Sequence, residues 1–152
     1  MGGNGSFYNE QINGGKNAGQ LTHYEYDGDI DGYKIVVQRK DIHQKANIVN
    51  SRKADTIYLI ASVKKGEIVK IQDINIYKDH KLVESIDLKF DEKGNMSSKS
   101  HSHLWGDDNG VINRISHLGT NEFPINDKYM PLISKVVEFN KEKHKWKSRP
   151  NE

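Results

Sequence analysis

The sequence predicts an α+β domain, an antiparallel β-meander of about five strands packed by one C-terminal helix. Three observations predict it. From residue 21 onward, β-branched runs follow one another with short polar connections. A single stretch near residue 130 repeats its apolar residues at helical spacing. Residues 1–20, "MGGNGSFYNEQINGGKNAGQ", follow neither pattern and carry six glycines and four asparagines, the composition of a flexible arm.

The strands can be read in order. "LTHYEYD", "GDIDG" and "YKIVVQRK" form a hairpin whose turn is set by Gly and Asp. "ADTIYLIASV", "EIVKIQDINIY" and "LVESIDLKF" follow, separated by "KKG" and "KDHK", and "DEKGN" closes the last. In that last strand Leu82, Ile86, Leu88 and Phe90 share one parity, and Ser85, Asp87 and Lys89 share the other. One face should pack while the other meets water.

The helix is expected over residues 128–140. Tyr129, Leu132, Ile133, Val136 and Val137 form its apolar stripe, Asn126 or Asp127 can cap it, and Pro131 is tolerated only in its first turn. This helix should cover the apolar face of the sheet. Beyond it, residues 141–152 hold four lysines and an arginine around Trp146 and read as a basic tail. The domain proper is thus residues 21–140, with an arm before it and a tail after it.

Composition limits the chemistry. A chain of 152 residues fits one domain, and with 34% hydrophobic and 29% charged residues its core is small relative to its polar cover. The absence of cysteine excludes disulfides, thiolate metal sites and a cysteine nucleophile. No apolar run has the length of a membrane span or signal peptide, so no membrane partner and a cytosolic location are expected. A net charge of +2 is too near neutral to mark a nucleic-acid binder, so any such case rests on where the charges lie.

Two segments carry candidate chemistry. The loop at residues 41–53, "DIHQKANIVNSRK", follows Arg39 and Lys40 and itself holds His43, Lys45, Arg52 and Lys53. It would suit phosphate, and it reads equally well as a solvated connection. The stretch "KSHSHLWGDDNGVINRISH", residues 99–117, gathers three of the seven histidines beside a tryptophan, two aspartates and an arginine.

Three readings of that stretch stay open. On an extended segment His101 and His103 project from the same face. One neutral and one protonated imidazole could then cleave an RNA phosphodiester without metal, through attack by the ribose 2′-hydroxyl. Arg114 would be the catalytic cation; Arg52, Lys53, Lys99 and His43 would hold substrate, and Trp105 would offer a base its face. Alternatively the two imidazoles bind a metal, with Asp107 or His117 as a third ligand in the facial arrangement of zinc or non-haem iron sites. The third reading is structural: polar histidines beside a Trp105 core anchor and a turn at Asp107 to Gly110.

"GNMSSKSHSHLWGD" resembles the first cupin motif, although its glycine spacing is off by one, its acid is Asp rather than Glu, and no second motif follows. More of the chain is covered by another resemblance. "MGGNGSF", "HYEYDG", "KIVVQRKDI", "RKADTIYLI" and "HSHLW" together look like small proteins of Gram-positive phages and prophages, some encoded near head-morphogenesis genes. Phage-associated domains of the barnase, EndoU and colicin-type nuclease superfamily also join a β-meander to a few helices and use His, Arg and Lys without metal. The resemblance implies a metal-independent RNase or toxin-type domain with RNA as substrate and no cofactor, in the bacterial cytoplasm or a phage particle. That superfamily places helices before the sheet, where this chain has its Gly-rich arm. A non-enzymatic phage accessory protein, binding a protein partner through a sheet edge or the arm, is the alternative from a different class.

Overall fold

A computed structural model describes residues 23–39, 49–51, 53–64 and 67–143. The arm at residues 1–20, most of the loop at 41–53, and the tail beyond 143 lie outside the described residues. The fold is α+β. Its strands are β1 (His23–Ile30), β2 (Tyr33–Arg39), β3 (Thr56–Lys64), β4 (Glu67–Lys78), β5 (Lys81–Asp87), β6 (His101–Asp108) and β7 (Val111–Arg114). They form one sheet whose spatial order follows the chain order. A 3₁₀ turn at Asp127–Tyr129 leads into the single helix among the described residues, α1 (Met130–Lys143).

The sheet is not a pure meander. β2 and β3 pair in parallel, Ile35 facing Leu59 and Val37 facing Ala61, whereas every other neighbouring pair is antiparallel. A parallel pair needs a crossover of about a dozen residues. The chain between Arg39 and Thr56 supplies that length. The additional strands arise from the histidine-rich stretch, where β6 and β7 form a hairpin about Asn109 and Gly110. Both residues have positive φ (55° and 88°), and Asp107 Oδ1 accepts the Gly110 N–H at 2.8 Å. Positive φ at both central positions is what a tight hairpin turn requires.

Both faces of the sheet carry a packed cluster. On one, Leu132, Ile133 and Val136 of α1 pack with Ile35, Leu59, Ala61, Ile71, Ile74, Ile86 and Leu88. Pro131 sits in the first turn of α1, as its missing N–H requires. Asn126 accepts the Lys128 N–H and caps the 3₁₀ turn. Asn140, fully buried near the other end of α1, accepts the Ile71 N–H at 2.8 Å and donates to the Ile71 carbonyl at 2.9 Å. The second cluster joins Val36, Val49, Tyr58, Ile60, Tyr77, Leu82, Trp105 and Ile112.

Leu82 and Ile86, expected on one face, belong to different clusters. The β4–β5 register shifts between Ile76 and Tyr77, pairing Ile76 with Glu84 but Tyr77 with Leu82. The bulged residue rotates the start of β5 onto the other face. Polar parity is buried as well: Ser85 is closed off and takes a hydrogen bond from Trp105 Nε1 at 3.0 Å.

The sheet divides at Glu84. Beyond Leu104, β6 leaves β5 and pairs with β7, while the released start of β5 is taken up by residues 49–51 through Leu82 N–H to the Val49 carbonyl. An ion pair at 2.7 Å between Lys81 Nζ and Asp107 Oδ2 spans the parting strands.

Candidate metal centre

The connection between β5 and β6 determines which residues meet. Asp91 Oδ1 accepts the N–H groups of Lys93 and Asn95, both at 2.9 Å, and Gly94 occupies φ 87° in the resulting turn. Those backbone donors hold the Asp91 carboxyl below the usual carboxylate range. The turn is followed by a bridge between Phe90 and Met96 and by a Ser97 N–H bond to the Lys89 carbonyl. Ser100 Oγ accepts the Lys89 N–H at 2.8 Å. The compact loop brings β6 back in the register that sets Asp87 opposite His101 and Ser85 opposite His103.

Asp87, His101 and His103 therefore point from one face of two adjacent strands. Their ligand atoms converge: His101 Nε2 to His103 Nε2 is 3.2 Å, His103 Nε2 to Asp87 Oδ2 is 3.1 Å, and His101 Nε2 to Asp87 Oδ2 is 3.4 Å. The two rings meet edge to face, with centroids 4.8 Å apart and planes at 90°. His103 is 3% exposed and His101 is half-buried.

Each Nδ1 is occupied elsewhere. His101 Nδ1 lies 2.9 Å from the Lys99 carbonyl, and His103 Nδ1 lies 2.7 Å from the Asn121 carbonyl. A carbonyl oxygen only accepts, so each Nδ1 carries its hydrogen and each neutral ring presents Nε2 as a lone pair. Three acceptors then face one another with no donor among them. One proton can relieve part of that conflict; a cation relieves all of it at once.

The triangle also has the size a metal ion needs. Ligands at about 2.0–2.1 Å from a tetrahedral zinc are about 3.3 Å from each other. The observed edges of 3.1, 3.2 and 3.4 Å bracket that value. Two backbone carbonyls holding the Nδ1–H groups are the usual outer partners of metal-bound histidines, fixing both tautomer and ring direction.

No family model, curated protein or solved structure matches this chain.

The residues singled out by sequence fall into three groups. His101 and His103 come together as expected, but their partner is Asp87. Among the described residues only Asp87, His101 and His103 form a convergent ligand group. Asp107 is committed to Lys81, whose ammonium holds its carboxyl below the usual range, and His117 is exposed in a tight 117–120 hairpin. Lys99 is exposed and contributes its carbonyl to His101, while Lys53 is exposed in the segment before β3. Arg52 and His43 lie outside the described residues.

Trp105 is a correction. It cannot offer a face to a base, because it is 4% exposed, packs with Tyr77, Leu82 and Ile112, and donates its N–H to Ser85. Arg114, paired opposite it on β7, stacks its guanidinium 5.4 Å from the ring centroid. Trp105 lies two residues beyond His103 and shares its face of β6.

Asp87 was absent from the sequence-based ligand set. Its polar parity beside Ile86 and Leu88 was visible, but the register across residues 88–100 was not, and only that register makes it a neighbour of His101.

Proposed function

We propose that this protein is a divalent-metal-binding protein whose centre is formed by Asp87, His101 and His103. The observation that carries the reading is the mutual approach of three lone-pair atoms, at 3.1–3.4 Å, whose only other hydrogen-bonding nitrogens are already used by carbonyls. Two nitrogens and one carboxylate oxygen suit zinc, and the same set serves other first-row divalent ions. This departs from the expectation of a chain without cofactor, and Asp87 is the reason. His-x-His alone offers two ligands; Asp87 makes the third at matching distance.

A metal-free RNase is the second reading, and it draws on one observation of its own. The three groups can also share a single proton, the charge state that an acid–base pair uses. It is less well supported. His103 is buried, both Nδ1 atoms are bound to carbonyls and the two Nε2 atoms face each other, so neither ring turns a free nitrogen toward a substrate.

Equilibrium dialysis of untagged protein against buffered zinc, followed by elemental analysis, tests the proposal. One zinc per chain is expected, with His101→Ala and His103→Ala each abolishing it. Well under one zinc per chain at micromolar free metal would overturn the reading. Cleavage of RNA by chelator-treated protein, lost in both histidine variants, would put the RNase in its place.

A further inference from the structure

The return of the chain after β7 brings a fourth group to the site. Ile115 N–H bonds the Leu104 carbonyl, and Phe123 exchanges two backbone hydrogen bonds with Ser102, each 2.8 Å. Between them the strap leaves β6, turns tightly at Leu118 and Gly119, and comes back. Asn121 and Glu122 lie just before the second anchor. The Asn121 carbonyl takes the His103 Nδ1–H, and the Glu122 N–H donates to Thr120 Oγ1 at 3.1 Å. The backbone at 121–123 is thereby anchored beside the histidines, and the Glu122 side chain projects from it into solvent.

That side chain already reaches one corner of the centre, the His101 Nε2 atom. Glu122 Oε2 stands 3.7 Å from His101 Nε2, against 3.4 Å for the longest edge of the ligand triangle, and the side chain is 60% exposed. From this geometry we infer that Glu122 is the fourth protein ligand, so that the bound ion fastens the 115–123 strap to β5 and β6. The inference rests on the metal reading and extends it from a three-ligand site to a closed one. The contact to His101 is near the tetrahedral spacing of about 3.3 Å, and coordination requires the exposed Glu122 side chain to swing further, toward His103 Nε2 and Asp87 Oδ2. Charge points the same way: a divalent ion with two carboxylates and two neutral imidazoles is a neutral complex, whereas three ligands leave a net positive charge beside buried Trp105 and His103. Four protein ligands are the pattern of structural zinc sites, and three with an open position that of catalytic ones.

Cobalt(II), which takes zinc's place and reports coordination number by the intensity of its visible bands, distinguishes these cases. The full chain loaded with cobalt should give the strong bands of a four-coordinate ion. Glu122→Gln should keep the far-ultraviolet circular dichroism, weaken cobalt and zinc binding at least about tenfold, and reduce the band intensity as more than one water enters and raises the coordination number above four. Amides at 121–123 should be protected from exchange by zinc in the parent and not in this variant. Parent-like affinity and spectrum in Glu122→Gln, with Asp87→Asn abolishing binding, would overturn the inference and leave the three-ligand centre standing. Failure of the parent itself to bind either metal would instead overturn the metal reading, and the inference with it.

Discussion

Asp87 Oδ2 lies 3.1 Å from His103 Nε2 across the β5–β6 ladder, and both atoms are acceptors when the ring is neutral. Without a cation this contact is unfavourable. Asp87→Asn replaces one acceptor by a group that can donate to Nε2, so the chelated variant should be at least as stable as the chelated parent. Zinc at a hundred times the dissociation constant should stabilise the parent by about 2.7 kcal/mol and the variant by almost nothing. Thermal melts of both proteins with zinc and with chelator make the comparison; equal zinc shifts in both would rule out Asp87 as a ligand.

The two hydrogen bonds between Asn140 and Ile71, one in each direction, fill a gap in the sheet. Pairing of β4 with β5 ends at Asp73 and Asp87, and Ile71 lies beyond it, fully buried. Asn140→Ala would strand a buried N–H and a buried carbonyl together, at a cost of about 2–4 kcal/mol. Urea denaturation should show this as a lower midpoint with an unchanged slope. A loss under about 0.5 kcal/mol would mean that other groups satisfy Ile71.

What could be read from the chain follows the range of the interactions involved. The stripe of Leu132, Ile133 and Val136 is local and appears where the pattern placed it, and the turn expected at Asp107 to Gly110 is equally local, its two central residues being Asn109 and Gly110 with Asp107 still in β6. The parallel pairing of β2 with β3 depends on where the chain travels between Arg39 and Thr56, which no alternation pattern encodes. The Leu82 reversal depends on one bulged residue, and a bulge leaves the alternation of apolar residues intact in the sequence while rotating them in space. The site divides in the same way. His101 and His103 share a face because strand periodicity is local, whereas Asp87 and Glu122 reach them through a loop register and a returning strap.

Glu84 provides a pH-dependent term away from the centre. It sits half-buried on the helix side of β5, where burial raises its carboxyl pKa against the opposing effects of Lys128 and the Tyr129 hydroxyl, which donates to Oε1 at 3.5 Å. A folded-state value above the unfolded one means that the folded protein binds this proton more tightly. The contribution to stability is thus fully present below the unfolded carboxylate value of about 4.3 and is lost as pH rises through the raised folded value. Glu84→Gln removes that loss. Relative to the parent, the variant should gain stability between pH 4 and pH 7 in urea titrations; a relative loss over that interval would contradict the assignment.

Arg114 tests which group the guanidinium serves. It lies over the Trp105 ring at 5.4 Å and is otherwise exposed, so its first effect is to cover an indole that hydrogen-bonds Ser85 and belongs to the buried cluster with Tyr77, Leu82 and Ile112. Arg114→Ala should cost about 0.5–1 kcal/mol, the range of a cation–π contact at an accessible site. It should also admit water to the ring face. The chain has two tryptophans, so a Trp146→Phe background leaves Trp105 as the sole emitter, and its fluorescence should shift to longer wavelength in the Arg114 variant. Zinc affinity should not change, because Arg114 neither coordinates nor hydrogen-bonds Asp87, His101 or His103 among the described contacts. If emission and stability are unaltered while RNA cleavage falls by at least about a hundredfold, the residue is a catalytic cation and the metal-free reading gains what this one loses.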